Sequence, residues 1–397
     1  MLEILVNKSK NDEKIALVEN GNLIEYYESD ETSKRNEGNI YLGGIKDIVK
    51  GMQAAFVDIG TEKNSFIHVK DLLPKMDETK QPKKEEIPEI KEIIKPNQKI
   101  LVQIKKDSNE QKGARVSTHI NLPSKYIVLM PNTDIITISQ KIENEEERKR
   151  LYNLVKENLT KGNGAIIRTS AKGKNEEIIK DIKNIEKTWA KIKQDYEKEI
   201  KKEKPQEGLI YRAESILYKM LIDLSDKKIE RILINDDEEI KNIKEFINNN
   251  EELSKIKIEK ISGEDFFNTY DLEKQIEKIE KRKIWLKCGG FITIDKTEAL
   301  TAIDVNTGKF TGTKDLEQTI FKVNKEATIE IAKQIRLRDI GGIIIIDYID
   351  MTKQENKNKI EEMLKEKLKE DRSKTQVEGF TKLDLMEMTR KHICSHK

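Results

Sequence analysis

Two short segments in the last third of the chain place acids where a strand normally carries apolar residues, and they constrain the fold more than any other feature. The first is TAIDVNTG, residues 301–308. Ala302, Ile303 and Val305 suit a strand. Residues two apart on a strand point the same way, so Asp304 and Asn306 share one face. The second is GGIIIIDYIDM, residues 341–351. Its unbroken run Ile343–Ile346 reads as a fully buried strand. The run ends in Asp347, at the kind of strand end where ligands commonly bind in open sheets. Between the segments, Leu316, Ile320, Val323, Ala327, Ile331 and Ile335 recur at helical spacing. Two strands that each place one acid among apolar residues can bring two carboxylates together. Unpaired buried carboxylates are costly, and like charges close together are worse. A Mg²⁺ or Mn²⁺ ion relieves both costs, taking one or two protein carboxylates and leaving its other positions to water and phosphate. On this reading Asp304 faces a metal and Asn306 faces what the metal holds. Spacing alone leaves an alternative open, in which each Asp caps a turn or pairs with Arg336 or Arg338. Asp350 could support Asp347 or cap the next helix, from about Thr352; the cap is the favoured reading.

Composition narrows the function classes. Charged residues make up 37% of the 397, yet the net charge is only +2, so any basic surface must be local. Cys288 and Cys394 are the only cysteines, which excludes a disulfide framework and suits a reducing cytoplasm. The N-terminal MLEILVNKSKNDEK turns polar too soon for a secretory signal. No apolar stretch approaches the roughly 18 residues of a membrane span. The expectation is a soluble, cytoplasmic protein with no membrane partner. No GxxxxGK[ST], GxGxxG or GxSxG loop is present, and none of the four histidines lies near Asp304 or Asp347 in sequence. That disfavours a histidine base and favours metal-activated water.

The chain reads as an α+β, multidomain protein. Residues 1–36 are short strands with a turn at Asn20-Gly21-Asn22. Residues 37–118 are β-rich and broken by glycines, as in a small barrel. Within them, about 74–97, four of the seven prolines and many Lys and Glu suggest a flexible surface insertion. Residues 119–205 and 206–280 are mixed, and 281–397 hold the two acidic segments. On the barrel, Phe56 and Phe66 suit base stacking, worth roughly 1–3 kcal/mol per base; two core phenylalanines are the alternative. Arg168 and Thr169, in IIRTSAKGK, end a strand and enter a loop. An arginine, a hydroxyl and backbone N–H groups can clamp a terminal phosphate; a plain surface turn is the alternative.

Taken together, the blocks QAAFVDIG, SFIHVKDL, KGARVSTHI, YIVLMPN, IIRTS, DKTEALTAIDVNTGK, AKQIRLRDIGGIIIIDYIDM and LMEMTRK resemble those of the bacterial ribonuclease E/G family, in the family's order and nearly end to end. The resemblance implies a split RNase H-like subdomain (1–36 and 206–280), an inserted S1-type OB-fold (37–118), a 5′-sensor subdomain (119–205) and a DNase I-like catalytic subdomain (281–397). It implies Mg²⁺-dependent endonucleolytic cleavage of single-stranded RNA, with ribosomal RNA precursors and messenger RNA as partners. Residue by residue, Asp304 and Asp347 match the family's metal-binding aspartates and Asn306 its catalytic asparagine. Arg168 and Thr169 match its 5′-monophosphate pocket, and Phe56, Phe66 and Lys112 its RNA contacts. Two departures stand out. Where the family has an ISRRIE-like segment, this chain has ISQKIE, with Gln140 and Lys141; lysine is no planar fork for a phosphate. After LMEMTRK the chain runs only to HICSHK, and Cys394 with His396 cannot make a four-ligand zinc site. No zinc site is therefore expected, and the assembly expected is a monomer or homodimer.

Overall fold

The computed structural model describes residues 1–10, 12–30, 36–73, 88–108, 112–248, 253–308 and 316–393. The chain divides into two compact units, one formed by Met1–Lys34 with Asp223–His396 and the other by Arg35–Ile222. Among the described residues, no helix is long and apolar enough to cross a membrane.

The Arg35–Ile222 unit contains a closed five-stranded barrel. Ile40–Val49 pairs with Ala54–Asp58, then Ser65–His68, Arg115–Ser117 and Lys99–Lys106 follow, and the last pairs back onto the first. The alternation of each strand sends Ile45, Ala55, Val57, Ile67, Val102, Ile104 and Val116 inward. A five-stranded closed barrel of this kind fits an OB-fold. Of the surface insertion expected at about 74–97, residues 74–87 lie outside the described residues. The rest is anchored rather than loose: the short helix Ile90–Ile93 begins with Ile90, and Ile90 and Ile94 are both buried in the barrel core. Their apolar side chains outweigh the prolines and charges that flank them. A second sheet in this unit orders Ile136–Ile138, Asn163–Ile167, Ile127–Pro131 and Leu122–Pro123. The helices Glu145–Asn158 and Glu176–Ile200 pack on it through Leu151, Val155, Ile178, Ile182, Ile185 and Trp189.

In the other unit, Leu2–Lys8 pairs in parallel with Ile229–Ile234 and antiparallel with Asp12–Glu19. Segments more than two hundred residues apart in sequence thus share one sheet. The last sheet runs Lys283–Trp285, Phe291–Lys296, Leu300–Asn306, Gly342–Asp347, Leu385–Arg390, Thr375–Phe380. Its parallel pair is Leu300–Asn306 with Gly342–Asp347, joined by the helix Leu316–Leu337. That helix and Gln354–Leu368 cover one face, where Ile292, Ile303, Val305, Ile344 and Ile346 meet Val323, Ile331, Ile335, Ile360 and Leu364.

Here the structure corrects the expectation of a fully buried Ile343–Ile346 strand. Only one face is covered. Ile344 and Ile346 are buried, whereas Ile343 is 50% exposed and Ile345 half-buried. A short apolar run cannot by itself report how many of its faces are packed. The open face is the one that carries Asp304 and Asp347.

Candidate active site

Asp304 and Asp347 are register partners on the two parallel strands, so their Cα atoms lie about one strand spacing apart, roughly 4.8 Å. Both are exposed on the open face, while their strand neighbours Ile303 and Ile346 are buried on the other. Asn306, two residues along, donates its Nδ2–H to Asp304 Oδ2 at 2.5 Å. The alternative of pairing with nearby arginines does not hold. Arg336 donates to the Glu370 carbonyl, and Arg338 to Gln334 Oε1 and the Lys281 carbonyl. Among the described residues no ion pair reaches Asp304 or Asp347. Burial, then the charges of Asp304 and Asp350, hold the Asp347 carboxyl above its ordinary value.

An acidic surplus of this kind fits a hard cation. Among the described residues no three of His, Cys, Asp and Glu converge as a metal cage. Two carboxylates with oxygen donors alone suit an ion that leaves its remaining positions to water and phosphate, as Mg²⁺ does. Asp350 is not the cap expected of it: the helix begins at Gln354 with Lys353 at its N-cap. Asp350 instead adds negative charge beside Asp347.

Residues that the sequence did not single out hold this edge in place. Tyr348 is buried in the core beneath the sheet. Asn324, fully buried on the helix Leu316–Leu337, donates to the Ile349 carbonyl at 2.8 Å and accepts the Ile349 N–H at 3.1 Å. Glu317 accepts from the Thr352 hydroxyl at 2.6 Å, the Thr352 N–H at 3.0 Å and Asn356 Nδ2 at 2.6 Å. Those donors, the Thr352 hydroxyl foremost, lower its pKa to about 2. The turn after Asp347 is thereby fastened to one helix at two points. Sequence could show Asn324 only as a polar residue on an apolar helix face.

In the other unit, Arg168 follows the strand Asn163–Ile167 and precedes a short 3₁₀ turn, Thr169–Ala171. Its Nη1 donates to the Ser124 carbonyl at 2.8 Å. Thr169 Oγ1 lies 3.2 Å from Ser139 Oγ, so a second hydroxyl joins the one the sequence singled out. Ser139 stands in the ISQKIE segment, whose Gln140 and Lys141 are exposed. Asp181 holds the Ser124 segment to which Arg168 donates, accepting from the Ser124 hydroxyl and from the Tyr126 N–H at 2.9 Å. Burial raises its pKa against those opposing hydrogen bonds.

On the barrel, Phe56 and Phe66 are register partners with ring centroids 6.3 Å apart at 72°. Phe56 is 40% exposed, and the core is built from their alternating neighbours Ala55, Val57 and Ile67. The core-phenylalanine alternative is therefore excluded. Gly113 lets the chain pass the Asn64–Phe66 backbone: a Cβ there would sit 1.9 Å from the Asn64 carbonyl oxygen. Lys112, beside it, is exposed. Cys394 and His396 lie outside the described residues.

Comparison with known proteins bears on the chain as a whole. The model of the family described as "Ribonuclease E/G family" matches residues 121–393. Ribonuclease G of Salmonella typhimurium is 38% identical over 397 residues, covering 98% of this chain and 79% of that protein. Ribonuclease G of Haemophilus influenzae is 39% identical over 395 residues, with the same coverage. Ribonuclease E of Escherichia coli is 34% identical over 400 residues, 99% of this chain and 37% of that longer protein. A family match over more than half the chain, joined to relatives aligned along nearly all of it, leaves one conclusion: the chain belongs to the ribonuclease E/G family.

Proposed function

We propose that Asp304, Asn306 and Asp347 form the cutting centre of this endoribonuclease, a hydrolase acting on RNA. The observation that carries the reading is the register pairing of Asp304 with Asp347 on an open sheet face, with the Asn306 amide donating to Asp304. The two carboxylates hold the divalent ion, Mg²⁺ with Mn²⁺ able to substitute. When bound, that ion supplies Lewis-acid polarisation of the scissile phosphate and a more acidic water. Asn306 orients the phosphate or the attacking water. In-line attack leaves a 5′-phosphate and a 3′-hydroxyl.

The remaining groups serve binding. Phe56, Phe66 and Lys112, on the S1-type barrel, grip single-stranded RNA by stacking and charge. Arg168 and Thr169, in a 5′-sensor subdomain, take a 5′-monophosphate and so stimulate cleavage; Ser139 joins them. The sheet formed by Leu2–Lys8 and Ile229–Ile234 with their neighbours is read as a split RNase H-like subdomain, and the sheet bearing Asp304 as the core of a DNase I-like one. Ribosomal RNA precursors and messenger RNA are the proposed substrates, in the cytoplasm, with the chain a monomer or homodimer. The test is incubation with an A/U-rich single strand carrying a 5′-monophosphate or a 5′-hydroxyl, with and without Mg²⁺. Metal-dependent cuts, faster on the monophosphate, support the reading. Metal-independent cutting, or cutting of duplex alone, contradicts it.

A further inference from the structure

The sheet that carries the acid pair also carries an aromatic pair to which the cutting centre assigns no role. Trp285 and Phe291 are register partners, and Phe291 is in turn the register partner of Asn306. One row across three strands therefore reads Trp285, Phe291, Asn306, all on the open face. The next row reads Lys283, Thr293, Asp304, Asp347. The Trp285 and Phe291 rings meet edge to face at 5.3 Å and 61°. The Lys283 ammonium sits 3.5 Å from the Phe291 centroid and 4.3 Å from that of Trp285. Gly308, just past Asn306, brings the chain against the ring edges: a Cβ there would lie 3.3 Å from Phe291 Cδ1 and 3.4 Å from Trp285 Cζ3. Even so, Trp285 remains 57% exposed.

A large aromatic left open at a sheet edge is out of keeping with core packing, and the same strand already supplies Ile284 and Leu286 to the core. An indole more than half exposed, with an ammonium over one of its faces, offers the two things a nucleotide needs, a stacking surface and a cation for phosphate. Trp285 lies two strand spacings from Asn306, roughly 10 Å, within reach of a nucleotide adjoining the cut rather than a remote one. We propose that Trp285 and Phe291, with Lys283, form a base-stacking subsite for a nucleotide next to the scissile phosphodiester, Trp285 taking the base face and Lys283 the phosphate. The proposal rests on reading Asp304, Asn306 and Asp347 as the cutting centre. Stacking is tolerant of sequence, so this subsite holds the strand in place without selecting one base.

The test uses the intact protein and an A/U-rich single strand of defined cut site, with an abasic nucleotide placed in turn at each position around the cut. Trp285→Ala is expected to lower kcat/KM about 5- to 150-fold, the equivalent of roughly 1–3 kcal/mol of stacking, and Trp285→Phe to restore most of it. An abasic nucleotide at one position beside the cut should cost the wild type a similar factor and cost Trp285→Ala nothing further. A second readout needs no variant. The chain's other tryptophan, Trp189, is buried, so RNA bound in a chelator should quench the exposed Trp285 emission, and the same strand with the matching abasic position should not. Unchanged kcat/KM in Trp285→Ala, additive losses at every abasic position, or an unquenched tryptophan each overturns the subsite. Failure of the underlying reading looks different: an Asp304→Asn, Asp347→Asn protein would still cut.

Discussion

At the scale of single residues, Asp347 makes stability depend on pH. Its carboxyl is held above the ordinary value of 3.8, first by burial and then by Asp304 and Asp350. The folded chain therefore binds that proton more tightly than the unfolded chain. The favourable contribution is present below 3.8 and is lost as pH rises through the raised value. Asp347→Asn removes this titration. In a chelator the variant should be at least as stable as wild type at neutral pH, with any gain vanishing toward pH 3.8; a marked loss in a thermal melt at neutral pH would show that Asp347 has a structural partner instead. Asn306→Ala should differ in kind: metal binding retained, cleavage slowed by about one to two orders of magnitude for the loss of one to a few kcal/mol of hydrogen bonding, and no rescue by excess Mg²⁺ or Mn²⁺. Rescue by metal would place Asn306 among the ligands. Arg168→Ala should erase most of the preference for 5′-monophosphate over 5′-hydroxyl RNA while sparing slow cuts at internal sites, because a guanidinium fork can hold two phosphate oxygens at once, which a hydroxyl cannot. An unchanged rate ratio would remove Arg168 from the pocket.

At the scale of elements, the acid pair depends on how one turn and one strand are anchored. Glu317 fastens the turn after Asp347, and its pKa is lowered to about 2 from 4.5 by the Thr352 hydroxyl and its neighbours. A depressed carboxylate stabilises the fold above 4.5, and that contribution fades as pH falls through about 2. Glu317→Gln should therefore melt lower than wild type at neutral pH, with the difference closing in acid; a constant difference down to pH 2 would contradict the assignment. Arg390 ends the strand beside Asp347's and pairs with Asp339 at 2.6 Å and Asp371 at 2.7 Å, with all three side chains buried. Arg390→Met leaves two buried acids without their cation and should cost about 3–5 kcal/mol in urea unfolding. The acids themselves were legible in sequence, because a strand's period of two puts Asp304 and Asn306 on one side whatever the fold. So was the barrel, from its glycine-broken apolar segments. What sequence could not show was any fact that depends on a distant partner. The open face over Ile343, the Asn324 clasp on Ile349, the convergence of Ser139 on Thr169 and the row from Trp285 to Asn306 all depend on long-range pairing. Asp350 misled for the same reason: its local pattern suits a cap, and only the helix start at Gln354 shows otherwise.

At the scale of the whole molecule, net charge near zero means that RNA binding must come from local groups, and each group makes its own contribution to affinity. RNA binding should accordingly tolerate the loss of Asp304 and Asp347 even where cleavage does not. The most direct test of the central claim is the Asp304→Asn, Asp347→Asn double variant of the intact chain, assayed on a 5′-monophosphorylated single strand in Mg²⁺, with folding and RNA affinity measured on the same preparation. The account predicts a folded protein with near wild-type affinity for RNA and cleavage slower by on the order of a thousandfold or more, since several kcal/mol of Lewis-acid stabilisation are lost. A folded double variant that cuts at close to the wild-type rate would contradict it.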